Sequence, residues 1–66
     1  MMRMFKLGMK DGKTYFVKSK NNLEDTIRSI ADADWWITET VRLNGNELAI
    51  KVDEISYIED VTDREW

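Results

Sequence analysis

The sequence predicts a single α+β domain, residues 1–66: a curled antiparallel sheet with one packed helix, its elements in the order ββαβββ. Three observations carry that expectation. Apolar and polar residues alternate on both sides of two turn signals, Asp11-Gly12 and Asn44-Gly45, as half-buried hairpin strands do. Between the hairpins, Leu23, Ile27, Ile30 and Ala31 recur at helical spacing. The chain has 66 residues, enough for one small core and no more.

The first hairpin is read from MFKLGMKDGKTYFVK. A two-residue Asp11-Gly12 loop pairs Leu7 with Phe16. A three-residue loop, Lys10 to Gly12 with Gly12 left-handed in a bulge, pairs Leu7 with Tyr15 and Phe5 with Val17. Only the second gathers Phe5, Leu7, Met9, Tyr15 and Val17 on one face. A one-residue slip would turn every side chain over, so the bulged turn is expected.

Asn22 is placed to cap the helix, with Glu24 and Asp25 at the positive end of its dipole. Leu23, Ile27, Ile30 and Ala31 then form a narrow stripe facing the sheet. The polar face is not basic, which argues against membrane binding.

The second hairpin spans WWITETVRLNGNELAIKV. A two-residue type I′ turn at Asn44-Gly45 pairs Val41 with Leu48 and Ile37 with Val52. That register sends Trp35, Ile37, Val41 and Leu43 to the core with Leu48, Ile50 and Val52. It sends Trp36, Thr38, Thr40 and Arg42 outward with Glu47, Ala49 and Lys51. Glu39 falls on the apolar side, an anomaly suited to a rim or bulge. A last strand, DEISYIEDV, turns Ile55 and Ile58 inward and Tyr57 outward, and residues 62–66 read as a frayed tail. The nearest named shape is a small SH3-like or Sm-like barrel.

Composition narrows function by exclusion. With no Cys there is no disulfide or thiolate metal site, and with no His the commonest metal ligand and general base is missing. Ser19, Ser29 and Ser56 have nothing to activate them, and no glycine-rich phosphate loop exists. Acid pairs such as Asp32/Asp34, Asp53/Glu54 and Glu59/Asp60 read as solvated charge. An enzyme is not expected, nor a cofactor. A domain this short lacks margin in its core, and oligomerisation is the remaining staple, so a homo-oligomer is expected. The opening MMRMFKLGMK holds no long apolar run, so neither a signal peptide nor a membrane span is expected and the cytoplasm is the anticipated location.

Net charge is −3, unevenly spread: residues 1–20 carry +5 and residues 21–66 carry −8. Duplex DNA binding is not expected from so acidic a chain. The binding candidate is the outward face of the second hairpin. Trp36 or Trp35 would stack on a base, Arg42 and Lys51 would hold phosphate, and Thr38 or Tyr57 would bond a ribose. Trp and Arg are also enriched at protein interfaces, so a second subunit or a host protein is the competing occupant.

The layout KLGMKDGKTYFV, NNLEDTIRSIADADWWIT and LAIKVDEISYIEDV resembles small proteins of phages and prophages of low-GC Gram-positive bacteria. In those, a Lys-Asp-Gly-Lys hairpin, a short helix and a terminal I-x-x-I-E strand recur; the likeness covers nearly the whole chain. The last piece is also similar to a segment of LytTR-type DNA-binding domains. The TETVRLNGNEL hairpin is longer than the phage pattern. The resemblance implies an anti-defence factor in the host cytoplasm: an oligomeric sponge that sequesters a nucleotide immune signal, such as a cyclic ADP-ribose isomer or a cyclic dinucleotide. Its alternatives are an inhibitor that blocks a host defence protein and a nucleic-acid-binding accessory protein.

Overall fold

The computed structural model describes residues 2–41 and 45–64. Five strands and one helix follow in the order β1 (Arg3–Met9), β2 (Thr14–Ser19), α1 (Leu23–Ile30), β3 (Trp35–Thr40), β4 (Glu47–Lys51) and β5 (Ile55–Asp60), with a 3₁₀ turn over Val52–Glu54 before the last strand. All strand pairs are antiparallel, and the sheet is open with the order β4-β3-β2-β1-β5. The fold is a small α+β sheet.

The first hairpin adopts the bulged register. Leu7 lies opposite Tyr15 and Phe5 opposite Val17. Met9 N–H donates to the Lys13 carbonyl at 2.9 Å, and Gly12 takes φ 91°, where a Cβ would be strained. Asp11 Oδ1 accepts from Lys13 N–H at 2.9 Å and closes the loop. Phe5, Leu7 and Val17 are fully buried and form the core with Ile50; Met9, Tyr15, Leu23, Trp36, Leu48, Ile55 and Ile58 pack around it.

On the other side of β1, β5 pairs Ile58 with Leu7 and Tyr57 with Gly8, then slips at Gly8/Met9. Gly8 is needed there because the Tyr57 ring lies across it: a Cβ on residue 8 would sit 1.9 Å from Tyr57 Cε2. The chain leaving β5 is also part of the core. Val61 is 1% exposed and donates its N–H to the Met4 carbonyl at 2.8 Å. Thr62 accepts from Met4 N–H at 3.0 Å, and Arg64 N–H reaches the Val61 carbonyl at 3.0 Å. Residues 65 and 66 lie outside the described residues.

Helix α1 is capped as its sequence requires: Asn22 Oδ1 accepts from Asp25 N–H at 2.8 Å. Its buried face differs from the expected stripe. Thr26 and Ile30 are buried and Leu23 is half-buried, whereas Ile27 is 43% exposed and Ala31 is exposed. Thr26 can enter the interior because its hydroxyl is bonded, lying 3.0 Å from Ser19 Oγ.

The second hairpin departs from the expected register. Trp35 lies opposite Lys51, Trp36 opposite Ile50, Ile37 opposite Ala49 and Thr38 opposite Leu48. Thr40 N–H donates to the Asn46 carbonyl at 3.0 Å, which continues this register and is incompatible with pairing Leu43 to Asn46 across a two-residue turn. Of the expected type I′ pair, Asn44 lies outside the described residues, as do Arg42 and Leu43. The pairing is displaced from the expected one by an odd number of residues, and an odd displacement exchanges the faces. Trp36 and Thr38 therefore point inward, and Trp35 and Ile37 point outward. The Glu39 anomaly disappears in the same step, because Glu39 is now exposed, opposite Glu47.

Candidate binding surface

The outer face of the β3–β4 hairpin is built by alternation along two strands. On β3 it presents Trp35, Ile37 and Glu39, and on β4 Lys51, Ala49 and Glu47, facing one another in that order. Trp35 is 55% exposed and Ile37 67% exposed, the two most open large apolar side chains among the described residues. The Lys51 ammonium lies 5.2 Å from the Trp35 ring centroid, within cation–π range. Glu39 and Glu47 are like charges directly opposite, an unfavourable cross-strand pair, and Lys18 of β2 stands opposite Glu39 on its other side.

Beside this face a cleft of about 300 Å³ opens between β4 and the β1–β2 turn. Met9, Tyr15 and Leu48 supply apolar walls, Trp35 and Lys51 stand at the hairpin side, and Asp11 and Glu54 add two carboxylates. A second hollow, about 250 Å³, lies between α1 and β5 and is lined mainly by apolar side chains, including the exposed Ile27, Ala31 and Tyr57.

The six residues expected to bind a ligand are dispersed. Trp35 and Lys51 are adjacent on the outer face. Trp36 is half-buried against the core, on the opposite face of the strand. Thr38 is buried and its hydroxyl donates to the Lys18 carbonyl at 2.8 Å, a side-chain bond from β3 to β2 beside their ladder. Tyr57, 47% exposed, sits on β5 at the other edge of the sheet order, over Gly8. Arg42 lies outside the described residues.

Residue-by-residue reading missed two features. Ile37, a core residue in the expected register, is the most exposed apolar side chain of the face, and the signal that points to this is Glu39 on a supposedly apolar side. The other is the clasp around Asp60. Its carboxylate accepts the Thr62 hydroxyl, the Thr62 N–H at 3.0 Å, and Arg3 Nη2 at 2.6 Å. Those bonds, led by Thr62 and aided by Arg3, outweigh partial desolvation and lower its pKa from 3.8 to about 2. The spacing Asp60-x-Thr62 is a recognisable side-chain-to-backbone turn. This clasp ties the end of β5 to the start of β1.

Among the described residues no group of three or more carboxylates is arranged to hold a metal ion, and no helix is long and apolar enough to cross a membrane. Comparison of the chain with protein-family models, curated proteins and solved structures finds no match.

Proposed function

We propose that this chain is a non-enzymatic binding protein that docks through the outer face of its β3–β4 hairpin onto another protein and blocks it. The observation that carries this reading is the exposure of Trp35 and Ile37 side by side on one strand. Covering the exposed part of each would contribute roughly 1–2 kcal/mol of apolar burial, and Trp is among the residues that dominate interface energetics. The surrounding charges, Lys51, Glu39 and Glu47, form a mixed polar border of the kind that rims such contacts. The curl of the sheet toward an SH3-like or Sm-like barrel belongs to the same proposal. The 3₁₀ turn leads directly from one edge strand to the other and is anchored by the bond from Lys10 N–H to the Glu54 carbonyl at 2.9 Å.

A second reading keeps the nucleotide-derived immune signal, a cyclic ADP-ribose isomer or cyclic dinucleotide, as ligand. The Trp35–Lys51 pair favours it, since an indole can stack on a base while an ammonium meets phosphate. It stands second because Asp11 and Glu54 share the adjacent cleft and would repel a polyanion. Both readings place the protein in a host cytoplasm as an anti-defence factor of phage origin, which rests on the sequence resemblance. A nucleic-acid-binding accessory role draws no support from this face, whose charges are mixed.

The test uses the full chain and a Trp35→Ser/Ile37→Ser variant, both changes at exposed positions. The proposal expects the parent chain to retain one stoichiometric protein from host lysate and the variant to lose it. Thermal melts with cyclic ADP-ribose isomers and cyclic dinucleotides run alongside. A Trp35-dependent melting shift without any protein capture would replace the first reading with the second.

A further inference from the structure

Among the described residues the outer edge of β4 is unpaired, and its sequence is complementary to itself. We propose that β4 pairs edge to edge with β4 of a second copy, antiparallel about a two-fold axis at Ala49, so that Glu47 of each copy meets Lys51 of the other. This goes beyond the docking function and does not rest on it, because the Trp35 face stays on the outside of the joined sheet.

The phase of the β3–β4 ladder determines which groups β4 offers. Thr40 N–H bonds the Asn46 carbonyl, and Val52 N–H bonds the Asp34 carbonyl at 3.0 Å. Even-numbered residues of this strand therefore turn their backbone groups toward β3. In an antiparallel ladder the intervening residues turn theirs the other way. Glu47, Ala49 and Lys51 thus present N–H and C=O groups to the open side. All three are exposed, and the pairing with β3 runs through them without a slip. Among the described residues nothing pairs with that side. β4 also carries no Pro and no bulge, two of the devices that blunt an exposed edge.

A hydrogen-bonded partner strand must match these residues with one another. Centring on Glu47 or on Lys51 would set like charges face to face. A register of Glu47 against Ala49, or of Ala49 against Lys51, leaves the charges unmatched. Centring on Ala49 aligns all three rows: Glu47 with Lys51, Ala49 with Ala49, Lys51 with Glu47. The opposite side of the strand then sets Leu48 against Ile50 of the second copy, apolar against apolar. A parallel arrangement about a two-fold would stack like on like.

The same register accounts for the unfavourable Glu39–Glu47 pair. With the second copy in place the lateral row reads Lys18, Glu39, Glu47, then Lys51 of the partner copy: Glu39 keeps Lys18 and Glu47 gains a cation neighbour. The row beside it becomes Ile37, Ala49, Ala49, Ile37. Joining the edges therefore merges two exposed apolar faces into one continuous surface. It also supplies the oligomeric staple expected of so small a domain.

The test is a charge exchange read by sedimentation velocity on the full chain across a concentration series. The parent chain should approach twice its monomer mass. Glu47→Lys gives a strand with two cationic ends and Lys51→Glu one with two anionic ends, so each variant alone should stay at monomer mass. Mixed in equal amounts they should regain the doubled mass, because each end of one now meets its opposite on the other. Far-UV circular dichroism melts confirm that both variants are folded; both substitutions are at exposed positions. A parent chain that remains monomeric at submillimolar concentration overturns the proposal. So does a single variant that still doubles its mass, or a mixture that does not.

Discussion

Trp35 and Trp36 are neighbours with opposite duties, and truncating each to Ala separates them. Trp36 is half-buried against the cluster of Phe5, Leu7, Val17 and Ile50. Complete removal of a core aromatic costs roughly 3–5 kcal/mol; scaled for partial burial, Trp36→Ala should cost about 2–3 kcal/mol. Trp35 is 55% exposed, and its chief identifiable interaction is with Lys51. An exposed cation–π contact contributes roughly 0.5–1 kcal/mol and loss of its covered apolar surface adds a similar amount, so Trp35→Ala should cost about 1–2 kcal/mol, less than Trp36→Ala. A core this small provides roughly 3–5 kcal/mol in total. Trp36→Ala should therefore be close to unfolding at 25 °C, while Trp35→Ala remains folded. Urea titration followed by far-UV circular dichroism reads both directly, with unchanged slope as the sign that stability alone has moved. Equal losses, or a larger loss for Trp35, would refute the placement of the two rings.

Other consequences follow from the clasp and the caps. Asp60 has a lowered folded-state pKa, so its contribution to stability is present above pH 3.8 and is lost as pH falls toward about 2. Allowing for solvent screening, Asp60→Asn should cost about 1–2 kcal/mol at pH 7, and urea midpoints of variant and parent should converge below pH 2. Asn22→Ala removes the cap of α1 and should cost about 1 kcal/mol, measurable as a lowered urea midpoint. Gly12→Ala, forced into the left-handed region at φ 91°, should cost about 1 kcal/mol and lower the melting temperature without altering the sheet register.

The first hairpin and the helix cap were legible because their signals are local. Asp11-Gly12 specifies where the chain turns, Gly12 alone tolerates the required φ, and only one register then keeps Phe5, Leu7 and Val17 together. The second hairpin is different: Asn44-Gly45, the strongest short turn signal in the sequence, points to one register, and the pairing of Trp35–Glu39 with Glu47–Lys51 follows another. Two registers each place apolar residues on one face. The choice between them rests on contacts far apart in sequence: Trp36 on the β1–β2 core, and the Thr38 hydroxyl on the Lys18 carbonyl. A buried Thr is costly until its partner is known, and that partner lies twenty residues away. The same reason hid Thr26, whose bond to Ser19 crosses from helix to strand. Of the expected ligand set, Lys51 and Trp35 survive as neighbours. Trp36 and Thr38 do not, because they belong to the face that the register turned inward.

The pairing of β3 with β4 exposes Trp35 and Ile37 and leaves Glu47, Ala49 and Lys51 at the free edge, so both proposed contacts depend on it. A nuclear Overhauser spectrum of the labelled chain measures it directly. The ladder phase makes Ile37 and Ala49 a non-hydrogen-bonded pair, with Cα atoms roughly 4.5 Å apart, so a strong Hα–Hα contact between them is predicted. Cross-strand contacts of Ile37 with Val52 and of Thr40 with Ala49 would instead report the two-residue turn. They would return Trp36 to the surface and contradict the account.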